Sequence, residues 1–240
     1  MEGFFKKNLT AADYRAKAKE NCDTQKDVLI TIFLIYLIIS IAVGVIDSVT
    51  GTTTQLPDGT TEKSTWFQSL FTLFCGGAFA FSFAEISKKV YLKIDVKNDD
   101  LFYGFKQFGR SFVVNLLQSI YLALWMLLFI IPGIVKACSY AMTVFIANDN
   151  KELSANECIT KSRQMMDGHK WEYFCLMMSY LGWLILCVLT LGILTLWVAP
   201  RINQASYLFY LRVSGIGERY EDSLEAAASE NEDMDPFGNR

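Results

Sequence analysis

Residues 28–46 read VLITIFLIYLIISIAVGVI, a run without a single charged side chain. A helix that crosses a bilayer needs about 20 mostly apolar residues, and this run is close to that length. Further uncharged runs cover residues 66–84, 111–135 and 173–200. Inside a bilayer a backbone segment must satisfy its own hydrogen bonds, which a helix does. The chain is therefore predicted to be an all-α, polytopic transmembrane helical bundle.

The distribution of lysine and arginine sets the direction of the first two spans. Cytoplasmic loops carry an excess of these residues. Six of them precede residue 28 and six lie in segment 85–110, whereas segment 47–65 contains only Lys63. The first two spans are therefore predicted to run outward and back, with residues 47–65 outside the cell and the N-terminus in the cytoplasm.

A proline–glycine pair ends the third predicted span, which covers residues 111–131. Pro132-Gly133 breaks the helix because proline lacks an N–H donor and glycine has a permissive backbone. A fourth span returns over about residues 134–147, and Lys136 is the only charge at this outer turn. Segment 148–170 carries four lysines and arginines, which predicts a cytoplasmic location.

The apolar stretch 173–211 is nearly twice as long as one crossing requires at about 1.5 Å per residue. We predict that it folds back at residues 190–192, which gives a fifth span over 171–189 and a sixth over 193–211. Six spans leave both termini in the cytoplasm. The alternative is a single long, tilted fifth span that ends at Pro200-Arg201 and puts the C-terminus outside.

The membrane domain takes up most of the chain. It covers residues 28–212, after an N-terminal cytoplasmic segment, 1–27, that shows no cleavable signal sequence. An acidic cytoplasmic tail covers residues 213–240. From Glu218 onward this tail has eight acidic residues against two arginines, so it is predicted to be disordered.

Two polar segments are predicted to hold short interfacial helices. Phenylalanines recur at helical spacing in residues 101–112, which indicates an amphipathic helix along the membrane surface. After the fourth span, Ser154 and Glu157 form a capping-box pattern that starts a second helix. Gly168 is the predicted end of that helix.

Arg201 is an ionisable side chain inside the predicted sixth span, about 12 Å from the outer end of that helix. Such a group is costly in a membrane and is a functional-site candidate. It follows Pro200, which frees a backbone carbonyl and bends a helix. The other members of this candidate polar site are Asn203, Gln204, Asp47, Asn115 and Gln118. The last three are predicted partners of the arginine, which either is structural or lines a hydrated cavity.

Catalytic motifs do not occur in the sequence. The six cysteines form no CxxC pair, and the single histidine, His169, is a poor metal site. There is no HExxH, no GxSxG and no phosphate-binding loop. We therefore expect no enzymatic activity, no cofactor, no metal ion and no nucleic-acid partner. The expected partners are the lipid bilayer and either another membrane protein or a second copy of this chain.

A series of short motifs resembles a known bacterial family. It comprises Pro132-Gly133, Gly168-His169-Lys170-Trp171 and Gly182-Trp183, within a gapped match from the first span to Tyr210. The chain resembles the membrane family catalogued as domain of unknown function 975. The resemblance implies a six-helix integral membrane protein of Gram-positive-type bacteria, with no established activity. In that family an aromatic residue usually follows the proline of the last span, where this chain has Arg201.

Two classes of function fit these observations. The first is a non-enzymatic protein of the bacterial cell membrane that acts through lipid or protein contacts in the cell envelope, for instance in envelope maintenance, membrane shaping or resistance to membrane-active peptides. It fits the interfacial helices and the lack of catalytic clusters. The second is a small transporter or channel with a polar cavity around the bent last helix, although no sequence repeat supports a duplicated transporter fold.

Overall fold

The computed structural model of the chain describes residues 4–6, 9–50, 53–55, 61–63, 66–190 and 192–223. Helix dominates this part of the chain, as the all-α prediction required. The helices are α1 (Ala11–Thr24), α2 (Lys26–Thr50), α3 (Trp66–Tyr91), α4 (Tyr103–Lys106), α5 (Phe108–Leu128), α6 (Ile130–Tyr140), α7 (Thr143–Asp149), α8 (Ala155–Met165), α9 (Lys170–Met178), α10 (Leu181–Leu189) and α11 (Thr195–Val213). Short 3-10 helices cover Phe4–Lys6 and Asn98–Phe102.

Five stretches are long and apolar enough to cross a membrane by length and composition. They are Lys26–Thr50, Gln68–Tyr91, Phe108–Leu128, Ile130–Asp149 and Lys170–Leu189. The predicted sixth span corresponds to α11, which is a continuous helix but is less hydrophobic on average than these five. The membrane-helical class of the fold is therefore confirmed, and the number of six spans is approximate.

Helices α2 and α3 form the longest hairpin. Two short antiparallel strands, β1 (Thr53–Gln55) and β2 (Thr61–Lys63), lie in the connection between them and pair Thr53 with Lys63. Aromatic rings hold the two helices together, because Phe33 stacks on Phe83 at 4.8 Å between ring centroids. Such a pair adds to the stabilisation from buried area alone.

The second hairpin, α5 and α6, turns three residues earlier than predicted. The extended residue is Phe129, with φ −159° and ψ 141°, and α6 begins at the next residue. Pro132 therefore lies in the first turn of α6, where a helix does not need the missing N–H donor. Gly133 has a different role from the predicted break, because a Cβ atom there would collide with Met126 of α5.

The third hairpin consists of α9 and α10 in one arm and α11 in the other. The chain turns back after α10, and Gly192 in this turn has a φ of +87°, which favours glycine. The predicted turn at residues 190–192 is therefore correct, and the alternative of one long tilted fifth span is wrong. The candidate span Lys170–Leu189 is itself interrupted, because α9 ends at Met178 and α10 begins at Leu181.

The third hairpin does not extend as far as α2 and α3. Near the start of α11, Leu196 and Trp197 lie against Leu29 and Ile30, in the first turns of α2. Helix α2 continues to Thr50, so at about 1.5 Å per residue it extends roughly 20 Å beyond the tip of the third hairpin.

Helix α11 is the most enclosed element of the bundle. Every residue from Gln204 to Leu211 is buried, among neighbours from α1, α3 and α7. Tyr207, for example, packs on Tyr91 of α3 and Phe145 of α7. A helix surrounded by protein does not need a continuous apolar surface, which explains why α11 is less hydrophobic than the other candidate spans.

The two predicted interfacial helices agree with the structure to different extents. Helix α8 begins after Ser154 with the predicted capping box, and Gly168 follows its end with a φ of +82°. Residues 101–112 are helical but divided into a 3-10 helix, α4 and the first turn of α5. Leu101 is fully buried among protein side chains, whereas Phe102 and Phe108 are exposed. The apolar face of this segment is thus shared between the protein core and the surface.

Two charge-based predictions differ from the structure. Lys136, which was predicted to lie at an outer turn, lies inside α6, with its amine 4.4 Å from the centre of the Trp125 ring. The tail is helical over residues 216–223, although disorder was predicted from Glu218 onward. Glu221 accepts hydrogen bonds from the amides of Phe4 and Phe5 at 2.8 and 3.3 Å, and these contacts bind the start of the tail to the bundle. The rest of the predicted disordered tail, 224–240, lies outside the described residues.

Candidate functional site: a basic groove beside the last helix

Arg201 pairs with Asp23, a residue that the sequence did not suggest. The guanidinium nitrogen Nη2 lies 3.3 Å from Oδ1 of Asp23, at the end of α1. Both side chains are partly exposed, at 25% and 47%, so solvent screens this ion pair. The pair places Arg201 beside the start of α2, far from the end of α2 where its predicted partner Asp47 lies.

The three predicted partners of Arg201 do not contact it. Asp47 accepts a hydrogen bond from the backbone amide of Gln68 at 3.2 Å and so caps the first turn of α3. Asn115 donates to the carbonyl of Leu73 at 3.3 Å and joins α5 to α3. Gln118 lies one turn further along α5. The prediction of these partners was wrong because Arg201 on α11 lies beside the start of α2, and α11 does not extend along α2 as far as these residues.

The remaining predicted site residues lie around Pro200 of α11. Pro200 is buried inside the helix, where its missing N–H leaves the carbonyl one turn earlier without its usual donor. Asn203 donates to the carbonyl of Ala199 at 3.1 Å. Gln204 is 1% exposed, and neither of its amide atoms has a hydrogen-bond partner among the described residues. The cavity beside it measures only about 10 Å³, which is room for no more than one water molecule.

A larger groove opens on the other side of Arg201, between α1 and the third hairpin. It has a volume of about 340 Å³ and is mostly apolar. Its lining residues are Ala12, Arg15, Ala16, Lys19, Tyr180, Trp183, Val198 and Arg201. The members from α1 recur every three or four residues and so share one face of that helix. Small alanines alternate with cations on this face, which leaves open space between positive charges.

The interruption between α9 and α10 fixes one of these cations in place. The carbonyl of Ser179 has no continuous helix beyond it to supply a donor, and Arg15 donates to it at 3.0 Å. The hydroxyl of Tyr180 donates to the carbonyl of Arg201, the residue directly after the proline, at 3.4 Å. One backbone irregularity beside the groove, the carbonyl of Ser179, is therefore satisfied by a side chain from another helix.

Burial controls the protonation of groups on α1 next to the groove. Burial raises the pKa of the Cys22 thiol to about 12, although the nearby Arg201 guanidinium opposes this. The thiol is therefore protonated at neutral pH and unreactive. Burial also raises the pKa of Tyr14, whose hydroxyl accepts a hydrogen bond from Arg212 at 3.1 Å. Arg212 also pairs with Glu172 at 2.8 Å, so α1, α9 and α11 are joined by one polar network.

A second polar cluster, around Asp149, was not predicted. Asp149 pairs with Lys88 of α3 at 2.7 Å and accepts a hydrogen bond from Tyr210 of α11 at 3.0 Å. Asn148 donates to Glu85 at 2.8 Å. An open cleft of about 550 Å³ borders these residues. The signal in the sequence was the pair of charges at positions 85 and 88, one helical turn apart, directly after the second apolar run.

Another arginine, Arg110, fixes the loop after α7. Its guanidinium, from Arg110 at the start of α5, donates to the carbonyls of Ala147, Asn150 and Lys151 at distances between 2.6 and 3.2 Å. Arginine suits this task because its five donors form a rigid fork. The loop that joins α7 to α8 is therefore held by backbone contacts.

Within the described ranges, no group of three or more His, Cys, Asp or Glu side chains is placed to hold a metal ion. Nδ1 of His169 lies 3.6 Å from Oε1 of Glu172, and the six cysteines are free thiols.

A family model described as a protein of unknown function, DUF975, matches residues 9–143 and 126–216. No curated protein and no solved structure matches the chain. The family match covers most of the sequence, and the protein therefore belongs to the DUF975 family.

Proposed function

We propose that this protein is a non-enzymatic integral membrane protein that acts through lipid or protein contacts in the envelope of a bacterial cell. In this proposal it lies in the plasma membrane with both termini in the cytoplasm. The observation that carries the proposal is the position of Arg201. Its charge is paired with Asp23 and faces a groove on the outside of the bundle, where lipids and partner proteins have access.

The apolar surface supports a location in a membrane. Large aliphatic side chains are exposed on α2, at the tip of the second hairpin and at the tip of the third hairpin. Examples are Val49 at 79%, Leu127 at 86%, Ile131 at 78% and Val188 at 77%. Exposed apolar surface of this extent is stable when it contacts lipid. The groove lies at the edge of this surface, because Trp183 belongs both to the groove and to the exposed face of α10.

A transporter is the second candidate, and one observation favours it. Pro200 and the interruption at Ser179 lie side by side next to the groove, and broken helices of this kind bind substrates in many transporters. The cavities beside Pro200 measure about 10 and 20 Å³, which is too small for a substrate, and the larger groove lies on the outside of the bundle. The contact function is therefore the better supported of the two.

Exchange of the Asp23 and Arg201 charges separates these functions. In a strain that lacks the gene, Arg201→Asp should lower the amount of protein in the membrane and reduce resistance to a cationic, membrane-active peptide. The double variant Asp23→Arg, Arg201→Asp re-forms the pair and should restore both, because contacts that depend on an intact bundle are restored with it.

A transporter in which the Arg201 side chain contacts the substrate would behave differently. The proposal fails if the double variant reaches the wild-type amount in the membrane and still gives no resistance. It also fails if vesicles that contain purified wild-type protein lose a trapped ionic solute faster than vesicles that contain the Arg201→Leu variant at the same protein density.

A further inference from the structure

We propose that the groove between α1 and the third hairpin binds the headgroup of an anionic phospholipid. This inference names the lipid class for the contacts proposed above and rests on that proposed function. The groove has a volume of about 340 Å³, within the usual range of roughly 300 to 1,000 Å³ for small-ligand sites. It differs from an ordinary surface depression in three respects: its charge, its anchored guanidinium and its position at the edge of the apolar surface.

The charge of the groove fits an anion. Arg15, Lys19 and Arg201 line it, and the only carboxylate paired with any of the three, within the described part of the chain, is that of Asp23. Two positive charges are thus left for a ligand. A phosphate diester carries one negative charge and accepts several hydrogen bonds, and basic pockets between membrane helices bind such headgroups.

The geometry of Arg15 supports the same occupant. One of its guanidinium nitrogens is held by the carbonyl of Ser179 at 3.0 Å, so the side chain is fixed before any ligand arrives. A guanidinium has five N–H donors, and a fixed one loses less conformational entropy when it binds phosphate. Lys19 lies one helical turn along the same face of α1 and is exposed.

The apolar half of the groove identifies the ligand as a lipid. Trp183 and Val198 form its wall, and the exposed face of α10 continues from it with Leu184 and Val188. A free phosphate ion would leave this wall unused. A phospholipid places its phosphate among the cations and its acyl chain along α10, so that both halves of the groove are filled. Tryptophan is favoured at this boundary between headgroups and chains.

Lipid selectivity at Trp183 tests this inference. The probe is a full-length variant whose only tryptophan is Trp183, reconstituted in phosphatidylcholine vesicles that contain brominated lipid. Brominated phosphatidylglycerol should quench its fluorescence at a several-fold lower mole fraction than brominated phosphatidylcholine. Lys19→Gln should reduce this selectivity about fivefold, since one basic residue near an anionic lipid contributes about that factor in affinity. Arg15→Gln should reduce it further.

Lys17→Gln is the matched control. It removes the same charge from another face of α1, where Lys17 pairs with Glu20, and should change the selectivity less than twofold. Equal quenching by the two lipids would overturn the inference. An equal loss of lipid selectivity in the Lys17→Gln and Lys19→Gln variants would also overturn it. Sodium phosphate should not change the quenching relative to sodium chloride of equal ionic strength. A loss of selectivity in phosphate would assign the groove to a soluble anion and reject the lipid.

The outcomes separate this inference from the proposed function. Lipid selectivity in vesicles, together with a double variant Asp23→Arg, Arg201→Asp that does not restore resistance in cells, would support the lipid site and reject the proposed contact function. Absence of lipid selectivity, together with a double variant that restores resistance, would reject only the assignment of the groove to an anionic lipid.

Discussion

At the scale of single residues, Gly104 makes a close backbone contact between α4 and α3. Its amide donates to the Ser82 hydroxyl at 2.9 Å, and a Cβ atom at this position would collide with the backbone carbonyl of Ala78. A rigid backbone atom cannot move aside as a flexible side chain can. Gly104 therefore determines how closely α4 approaches α3.

Substitution of Gly104 by alanine should destabilise the protein strongly. We expect a loss of about 2 to 3 kcal/mol in the free energy of unfolding, because the added methyl group forces α3 and α4 apart. Gly109→Ala is the matched control, since a Cβ atom there meets nothing within 4 Å. It should stabilise α5 by roughly 0.5 to 1 kcal/mol through helix propensity. Thermal unfolding of both variants in the same detergent measures the difference, and equal stabilities would contradict the collision.

The partner of Arg201 shows what sequence can and cannot supply for one residue. Its environment, next to Pro200 and two amide side chains, was evident from adjacent positions. Its ion-pair partner, Asp23, lies 178 positions away in the sequence. Which charge such a side chain meets depends on how the helices pack, and no local pattern records that.

At the scale of elements, α8 is the helix that local sequence specifies best. The amide of Ser154 donates to Glu157 at 2.7 Å, and its hydroxyl accepts from the amide of Glu157 at 3.4 Å. Both partners of the capping box are three residues apart, so the pattern was visible without any tertiary information. Interruptions within helices are different, because the donor to the Ser179 carbonyl at this break is Arg15 of another helix.

The capping box of α8 should make stability depend on pH. Hydrogen bonds from the amide and hydroxyl of Ser154 hold the pKa of Glu157 below its usual value. A depressed carboxylate pKa stabilises the fold above the unfolded-state pKa, near 4.3, and this contribution is lost as the pH falls through the lower folded-state pKa. Wild type should therefore melt at a higher temperature than Glu157→Gln at pH 7, and the gap should narrow as the pH falls below about 4.

Glu152→Gln is the control for that comparison, because it removes the same charge from the same segment without touching the capping box. A gap between wild type and Glu157→Gln that stays constant from pH 7 to pH 3, measured by thermal unfolding, would show that the carboxylate of Glu157 does not cap the helix.

At the scale of the whole molecule, the positions of the helices in the sequence were easier to predict than how far each hairpin extends across the bundle. The length of the 173–211 stretch required a turn, and the turn lies where residues 190–192 predicted it. The depth of that hairpin was not predictable, because apolarity shows that a segment prefers lipid without showing what it packs against. Contacts of α11 with α1 and the first turns of α2 fix this depth, and they join distant parts of the chain.

The different depths of the hairpins can be measured with two cysteine variants that lack the native thiols. Val49 at the end of α2 and Leu189 at the end of α10 are almost equally exposed, at 79% and 74%. With both termini in the cytoplasm, a membrane-impermeant maleimide added to intact cells should label Val49→Cys. It should not label Leu189→Cys, because the tip of α10 stops roughly 20 Å short of the end of α2 and remains within the bilayer. In denaturing detergent both variants should react. Equal labelling in cells would show that the third hairpin crosses the whole membrane, and absence of labelling at both positions would reject the proposed orientation.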